Sequence, residues 1–269
     1  MKKEVPRVKR ILFSQNHPVD FEKSPYADFV KLYNVKIDFY KFFQVEALPL
    51  ENFLSQNISI LDHTSIILTS KNAIDHFFRI VNELKISISS SINFFCTNEG
   101  TATYLQKYIT RRRKAFFPED GSPEKLVEEI AKHASDIFLL PMAMDSSINQ
   151  LVKLLDEKEI NYKKAEIFKI SFPDMSKTID IYTYNMVVFF SPYGIQSLKL
   201  NYPDFKQGSM VIGVFGKRAA AAAQKAGLNV QIVAPAPKHL SIFSAVSEYL
   251  RKSNPKDRKI KKKNTPLTA

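Results

Sequence analysis

Residues 66–78 read IILTSKNAIDHFF, and residues 187–199 read VVFFSPYGIQSLK. Each stretch begins with a short apolar run and continues, after a serine, with apolar residues at helical spacing. An apolar run without alternation is typical of a strand that is buried on both faces of a parallel sheet. A serine just before a helical pattern commonly caps the first turn of the helix. Both stretches therefore predict a strand, a turn and a helix.

The two stretches open two copies of an internal repeat. The first copy continues with INFFCTNEGTATYLQKY and KAFFPEDGSPEKLVEEI, and the second with MVIGVFGKRAAAAAQKAGL and VQIVAPAPKHLSIFSAV. Aligning the copies pairs Ser70 with Ser191, Asn98 with Gly216, Pro118 with Pro235, and Leu126 with Leu240. Each copy predicts alternating strands and helices, so we expect two similar α/β domains.

The rest of the chain continues this alternation. The predicted strands cover residues 10–14, 65–69, 92–95, 115–117, 137–140, 186–190, 210–215 and 230–234. Helical patterns of about 10–15 residues separate them, and one opens with Ser122 as the cap and Pro123 at the first helical position. This alternation favours right-handed βαβ units and open parallel sheets that are flanked by helices.

Two aromatic segments, Val35–Val45 and Tyr162–Phe172, interrupt the rhythm. Both look extended, and each lies between strand-and-helix regions. They are interpreted either as ordinary strands or, if they pair with each other, as a two-stranded connection between domains.

Composition excludes several classes of protein. The 269 residues are 45% hydrophobic, too apolar for a disordered chain. No apolar run approaches the ~18 residues that a membrane-spanning helix needs, and the N-terminus lacks the apolar stretch of a signal peptide. Cys96 is the sole cysteine, which excludes an internal disulfide. We therefore expect a cytoplasmic protein with no membrane partner.

The net charge of +12 is concentrated at the C-terminus. Residues 251–269 carry eight lysines and arginines against Asp257. Such a block is typical of a disordered, solvated tail, although weak and salt-sensitive contact with nucleic acid is an alternative. The chain has no helix-turn-helix, RNP aromatic pattern or zinc module, so we expect no nucleic-acid partner.

Cofactor motifs fail along the whole sequence. Gly213–Arg218 resembles a phosphate loop but has Val211 in place of the first glycine and Arg218 where Ser or Thr binds Mg²⁺. There is no GxGxxG and no GxSxG, and the five histidines lack metal-binding spacing. We expect neither a metal nor a cofactor.

Two loops after strands remain as candidate binding sites. Thr69–Ala73 and Ser191–Ile195 each bring a serine to the start of a helix. In open α/β sheets ligands bind beyond the carboxyl ends of strands and near helix N-termini. The two serines either cap their helices only or help backbone N–H groups to hold an anion.

The order and spacing of these loops resemble uroporphyrinogen-III synthases. The pattern strand–Ser-x-x-(Ala/Gly)-Ile–helix occurs in both copies, and the second copy adds Phe215-Gly216, Ala226-Gly227-Leu228 and Ala234-Pro235-Ala236-Pro237. LLPMAMDSSINQLVKLLDEKEINYKKAEIFKI is similar to the family's strand, helix and return linker. The resemblance covers about residues 10–250.

The resemblance implies a discontinuous layout. Residues 1–35 and 172–250 would form the first α/β domain, and residues 44–162 the second. Residues 36–43 and 163–171 would be the linkers, which pair as a two-stranded ladder, and residues 251–269 the basic disordered tail. The active cleft would lie between the domains, and we expect a monomer.

The resemblance also implies a reaction. The substrate is hydroxymethylbilane, a linear tetrapyrrole with many carboxylates, and the product is uroporphyrinogen III. Loss of the hydroxyl gives an azafulvene, ring D is attacked at its substituted carbon, and the resulting spiro intermediate recloses with ring D inverted. The enzyme would be a cofactor-free lyase of haem biosynthesis that acts chiefly by shaping its substrate. The alternative is a non-catalytic two-domain relative that binds an anionic ligand.

The residues implied to contact substrate all follow predicted strands or lie on the return linker. They are Thr69, Ser70, Lys71, Asn72, Thr101, Phe168, Ser191, Pro192, Tyr193, Gly194, Gly216, Lys217, Arg218 and Lys238. Glycines would let backbone amides approach the ligand, and Tyr193 is the candidate proton donor.

The sequence departs from the family at four polar positions. Phe168 stands where the return linker usually has a tyrosine, and Ala219 and Ala236 stand where threonines are usual. The first strand ends in Ser14-Gln15-Asn16-His17-Pro18 in place of Thr-Arg-Pro. These losses favour the non-catalytic alternative and leave the acid catalyst open.

Overall fold

The computed structural model describes residues 6–109, 115–144 and 150–254. The chain divides into two compact units. The first unit combines the residues up to Gln44 with those from Phe172 onward, and the second unit is Val45–Ser171.

Eleven strands are present in the described residues. They are β1 Arg10–Phe13, β2 Lys36–Phe39, β3 Gln44–Ala47, β4 Ser65–Leu68, β5 Asn93–Cys96, β6 Ala115–Phe116, β7 Phe138–Ala143, β8 Tyr162–Ser171, β9 Met186–Phe189, β10 Val211–Phe215 and β11 Val230–Ala234. All eight strands that were predicted from apolar runs are confirmed.

Nine α-helices accompany these strands in the same part of the chain. They are α1 Pro25–Tyr33, α2 Leu50–Leu54, α3 Lys71–Glu83, α4 Glu99–Leu105, α5 Pro123–Ala131, α6 Gln150–Glu157, α7 Pro192–Asn201, α8 Lys217–Lys225 and α9 Ile242–Ser253. None of the described helices is long and apolar enough to cross a membrane.

Each unit contains its own sheet. The first has five strands in the order β11-β10-β9-β1-β2, and all four neighbouring pairs run parallel. The second has six strands in the order β3-β8-β7-β4-β5-β6, with every pair from β8 to β6 parallel. The predicted α/β class, with two similar domains and parallel sheets flanked by helices, is confirmed.

Helices cover both faces of each sheet. In β1, Leu12 packs in one apolar cluster with α7 and α8, whereas Ile11 and Phe13 pack in another with α1 and α9. In β4, Ile66 and Leu68 pack toward α3 and α4, and the residue between them packs toward α5 and α6. Burial on both faces explains why the strand sequences lack alternation.

The repeat extends beyond the aligned copies. A short 3-10 turn precedes the first strand of each copy, at Ile60–Asp62 and Ile181–Thr183, and the first isoleucine of each turn is buried. One predicted equivalence is wrong, because Leu126 is fully buried in α5 whereas Leu240 is 82% exposed before α9. In the second copy the residue that is buried at the start of the helix is Ile242, which follows the capping Ser241.

The predicted linkers require a correction. β3 and β8 are neighbours in the six-stranded sheet, so the two aromatic segments do pair, but through Gln44–Ala47. Lys36–Phe39 is not a linker, because it pairs along its whole length with β1 as a strand of the first unit. An ion pair of 2.7 Å between Arg10 Nε and Asp38 Oδ2 supports that register.

The boundary of the basic tail is also wrong. Helix α9 continues to Ser253, and Ser253 and Asn254 are each only 6% exposed. Residues 251–254 therefore belong to the first unit because they pack on it. Residues 255–269, the remainder of the predicted disordered tail, lie outside the described residues.

Candidate functional site

In each unit the loops that follow parallel strands gather at one edge of the sheet. In the first unit these loops follow β1, β9, β10 and β11, and in the second they follow β4, β5 and β6. Ligands of open α/β sheets bind at this carboxyl edge. We describe the two edges separately as the first-unit edge and the second-unit edge.

Ser70 and Ser191 occupy equivalent positions at these edges. The Ser70 hydroxyl accepts a hydrogen bond from Ala73 N at 3.2 Å and caps α3. The Ser191 hydroxyl accepts one from Tyr193 N at 3.2 Å and caps α7, with Pro192 at the first helical position. Both hydroxyls are partly exposed. The capping role that the sequence suggested is thus present in both copies, and the positive ends of two helix dipoles lie at the two edges.

A hydrogen-bonded chain joins two loops of the second-unit edge. Thr97 Oγ1 donates to the carbonyl of Thr69 at 3.1 Å. Asn98 caps α4 by accepting from Thr101 N at 2.9 Å and from Thr101 Oγ1 at 3.2 Å. Thr101, a predicted contact residue, is 5% exposed and its hydroxyl is already engaged. Sequence reasoning left Thr97 and Asn98 out of the site, although an Asn shortly after a buried strand and just before a helix is a recognisable cap.

Two lysines of the second-unit edge contact one tyrosine. Lys71 Nζ lies 5.3 Å from the centre of the Tyr104 ring, and Lys107 Nζ lies 4.3 Å from it. These are cation–π distances. Among the described residues neither lysine forms an ion pair. Lys71 was predicted, whereas Lys107 and Tyr104 were missed, because their proximity depends on how α4 packs beside α3. Asn72, the other predicted residue of this loop, is partly exposed.

Asp75 anchors Tyr104 of α4 and Tyr108 of the turn that follows α4. The hydroxyl of Tyr104 donates to Asp75 Oδ2 at 3.1 Å, and that of Tyr108 donates to Asp75 Oδ1 at 2.6 Å. The hydrogen bond to this carboxylate raises the pKa of both phenols, that of Tyr108 to about 12. Both phenols therefore stay protonated at neutral pH.

Phe168 lies in the interior of the second unit. It is 5% exposed and packs in the apolar cluster that α3 shares with β4 and β5. Its ring stacks on the imidazole of His76, with centroids 5.1 Å apart and an interplanar angle of 18°. The resemblance assigned Phe168 to substrate contact, but within its own unit the ring is a core residue at the end of the sheet. Sequence reasoning missed His76.

The two predicted glycines of the first-unit edge have different roles. Gly194 is buried in α7, and a Cβ there would lie 3.1 Å from Phe189 Cδ1 and 3.4 Å from Ser14 Oγ. Gly216 has a φ of +94° with no heavy atom within 4 Å of such a Cβ, and its N–H donates to the carbonyl of Ala234 at 2.7 Å. Gly194 therefore permits close packing, whereas Gly216 permits a backbone conformation that L-residues avoid.

Cations surround the first-unit edge. Lys217 and Arg218 open α8 and are exposed, and neither forms an ion pair with a described residue. Lys217 and Pro235 border a shallow groove of about 530 Å³. Lys238 is exposed in a tight turn in which Ala236 and His239 exchange two backbone hydrogen bonds. The described edge thus presents positive charge beside three helix starts.

Aromatic side chains pack beside Tyr193. Its ring centroid lies 5.3 Å from that of Phe43 and 6.5 Å from that of Phe172. The Tyr193 side chain is partly exposed. Tyr193 thus lies at the start of α7 with part of its side chain accessible.

Gln15, Ala219 and Ala236 stand at three of the positions at which the sequence departs from the family. Gln15 Nε2 donates to the Tyr26 hydroxyl at 2.6 Å, and burial raises the pKa of Tyr26 to about 12. Ala219 is buried against the sheet, and Ala236 lies in the turn after β11. None of these side chains offers a strong acid to a ligand.

Cys96 does not contribute a reactive thiol. It is fully buried in β5, and burial raises its pKa to about 12. The described residues contain no group of three or more His, Cys, Asp or Glu side chains that could hold a metal ion.

Comparisons with known proteins place this architecture among solved structures. A sequence model of the family described as uroporphyrinogen-III synthase HemD matches residues 41–244. A mutant uroporphyrinogen III synthase from the extremely thermophilic bacterium Thermus thermophilus superimposes with a TM-score of 0.64 at 10% identity, over 91% of this chain and 98% of that one. The uroporphyrinogen-III synthetase from Helicobacter pylori 26695 superimposes with a TM-score of 0.55 at 18% identity, over 90% and 100% of the two chains. No curated protein sequence matches the chain.

Proposed function

This chain belongs to the uroporphyrinogen-III synthase family, and on that premise we propose that it cyclises hydroxymethylbilane to uroporphyrinogen III in haem biosynthesis. The observation that carries the proposal is the family match over residues 41–244, which includes the helix starts of both edges. The enzyme would be a cytoplasmic, monomeric lyase that releases water and needs no cofactor.

Charge at the two edges supports an acidic substrate. Hydroxymethylbilane carries a carboxylate on every side chain of its four pyrroles. The N-termini of α3 and α7 favour anions through their dipoles and amides. Lys71, Lys217 and Arg218, which form no ion pair with a described residue, add positive charge. We infer that these groups hold carboxylates while the tetrapyrrole is folded for closure.

Shape is proposed to decide which isomer forms. Loss of the hydroxyl gives an electrophilic azafulvene that closes unaided to the symmetric type I product. Holding the chain so that the substituted carbon of ring D meets the azafulvene favours the spiro route and the type III product. Backbone amides and cations hold the substrate in this shape without a strong acid. This agrees with the positions at which the sequence departs from the family, since Gln15, Ala219 and Ala236 offer no acidic side chain.

Isomer analysis tests the proposal. The full chain is coupled to hydroxymethylbilane production, and the type III to type I ratio is read after oxidation to the porphyrins. We expect almost pure type III product. A product mixture equal to that of a reaction without the protein would refute the proposed activity.

A matched pair of variants tests the carboxylate contacts. Lys217→Ala combined with Arg218→Ala removes two cations at the start of α8, and Lys225→Ala removes one at its end. Exposed charge pairs are worth about 0.2–1 kcal/mol each, so we expect the double variant to raise KM by about 2–30-fold at unchanged kcat. Lys225→Ala should leave both constants unchanged. Equal KM values in the two variants would contradict the assignment.

The non-catalytic alternative has one specific observation in its favour. Phe168 has no hydroxyl and is buried, so the position that is usually a tyrosine cannot donate a proton. A protein that binds hydroxymethylbilane, detected by its protection from spontaneous closure, but releases no type III product would support this alternative.

A further inference from the structure

An imidazole lies at the second-unit edge against the ring of Phe168. Phe168 pairs with Ala143, the last residue of β7, and therefore marks the carboxyl edge of the sheet. His76 projects from α3 and stacks on that ring with centroids 5.1 Å apart. Unlike Phe168, His76 is partly exposed. Stacking on Phe168 therefore holds one face of the imidazole, while part of the His76 side chain remains exposed to solvent.

His76 differs from the other histidines in its hydrogen bonding. A ring nitrogen of each of the other four lies near an oxygen: His17 near Pro18 O, His63 near Ser59 O, His133 near Asp136 and His239 near Glu248. Within the described residues neither ring nitrogen of His76 makes a hydrogen bond. Burial, and to a lesser degree the charge of Arg79, lowers the pKa of His76 below its usual 6.5. The imidazole is thus mainly neutral at pH 7, with one donor and one acceptor open.

The charged neighbours of His76 are already engaged. On α3, Asp75 accepts from Tyr104 of α4 and from Tyr108 in the turn after α4. Arg79, one helical turn further on, donates to the carbonyls of Leu48 and Ile167 and to Glu83. From β8, the facing side chain is the uncharged Phe168. Among the described side chains that surround Phe168 on α3 and β8, the imidazole is therefore the titratable group that is not already engaged and can exchange a proton with a ligand.

Resting on the proposed function, we propose that His76 is a catalytic residue that transfers the protons of the cyclisation, in the role that a hydroxyl on the ring of Phe168 would otherwise fill. In its protonated form, which is the minor one at pH 7, the imidazole gives its proton to the hydroxyl of hydroxymethylbilane. The C–O bond breaks with its electron pair on oxygen, water leaves, and the pyrrole nitrogen supplies electrons to form the azafulvene. After reclosure, the ring D carbon that forms the last bond loses its proton to the neutral imidazole. One proton is given and one returned, so the net change is loss of water.

Two substitutions test the proposal. His76→Gln keeps hydrogen bonding but removes proton transfer, and His133→Gln, just after α5 in the same unit, is the matched control. General acid–base groups contribute about 10²–10⁴-fold, so we expect kcat of His76→Gln to fall by about 100-fold or more. KM and the type III preference should change little. His133→Gln should keep the parent kcat.

A rescue experiment separates a catalytic from a structural role. Phe168→Tyr places a phenol on the ring against which His76 stacks. In a His76→Gln background we expect this second change to restore kcat by about 10-fold or more, within the range of general-acid help. A merely structural role for His76 predicts no such recovery. Circular dichroism and urea midpoints confirm that each variant is folded.

The possible results distinguish a failure of the His76 role from a failure of the proposed function. An active parent protein with equal kcat in His76→Gln and His133→Gln overturns the role of His76 and leaves the proposed function intact. Loss of kcat in His76→Gln without recovery by Phe168→Tyr also overturns it. A parent protein that makes no type III product overturns the proposed function and this inference together.

Discussion

Asn254 joins three parts of the first unit that are far apart in sequence. Its side-chain oxygen accepts from Val8 N at 3.0 Å, and its Nδ2 donates to the carbonyls of Val8 at 2.6 Å and Tyr33 at 3.2 Å. Val8 is fully buried and Asn254 is 6% exposed. The Asn254 amide thus provides the hydrogen bonds that the buried backbone just before β1 cannot make to water. We predict that Asn254→Leu destabilises the first unit.

The expected magnitude follows from the groups left without partners. Leucine has a similar volume but no polar atom, so the N–H and C=O of the fully buried Val8 become unsatisfied, whereas the C=O of the partly exposed Tyr33 can bond to water instead. Each such group costs about 1–3 kcal/mol, or about 2–6 kcal/mol together. Burial of the apolar leucine side chain offsets part of this cost. We expect a net loss of about 2–4 kcal/mol, a fall in Tm of about 4–16 °C at about 2–4 °C per kcal/mol.

Thermal and urea unfolding of the full chain measure the effect. Asn161→Leu is the matched control, because Asn161 is exposed just before β8. We expect the control to shift stability by less than about 0.5 kcal/mol, as is usual for surface substitutions. If Asn254→Leu and Asn161→Leu unfold at the same temperature, the reasoning about the buried amide is refuted.

Two truncated chains test the same hydrogen bonds of Asn254. A chain that ends at Asn254 keeps these hydrogen bonds, whereas a chain that ends at Leu250 loses them together with the last turn of α9. We expect the first truncation to unfold like the parent and the second to be destabilised at least as much as Asn254→Leu. Equal stability of the two truncated chains would place the anchor elsewhere.

Three further predictions concern the first unit. Gly194→Ala should lower the urea midpoint, since overpacking against Phe189 costs about 1–3 kcal/mol and exceeds the helix-propensity gain of up to about 1 kcal/mol; an unchanged midpoint would contradict it. Gly216→Ala should cost about 1–3 kcal/mol through its positive φ alone, and a stabilised variant would rule that strain out. Hydrogen bonds from Lys252 and His239 lower the pKa of Glu248 below its usual 4.5, so its stabilisation is present above about pH 4.5 and is lost as pH falls through the lowered pKa. The midpoint difference between the parent and Glu248→Gln should therefore be seen at neutral pH and vanish in strong acid; a difference that grows in acid would refute the ion pair.

Much of the candidate site was predictable because it is encoded locally. A serine between a buried strand and an amphipathic helix predicts its own cap, and Ser70 and Ser191 form those caps. The cations Lys71 and Lys217 follow from sequence position in the same way. What could not be predicted is which side chains from other elements meet them. Tyr104 contacts Lys71 because α4 packs beside α3. His76 contacts Phe168 because the pairing of β8 with β7, in which Phe168 lies opposite Ala143, places that ring beside α3.

The amino-acid sequence by itself determined the eight apolar strands, the helix caps and the repeat that divides the chain into two α/β units. These features depend on residues within one or two turns of each other, so their pattern is visible along the chain. The tertiary structure alone decided that Lys36–Phe39 joins β1 and that the first unit extends to Asn254. It also decided that one glycine serves packing and the other backbone conformation. Such outcomes depend on partners as far as 246 positions away, where several pairings satisfy the same local pattern and the packing of the whole unit selects one.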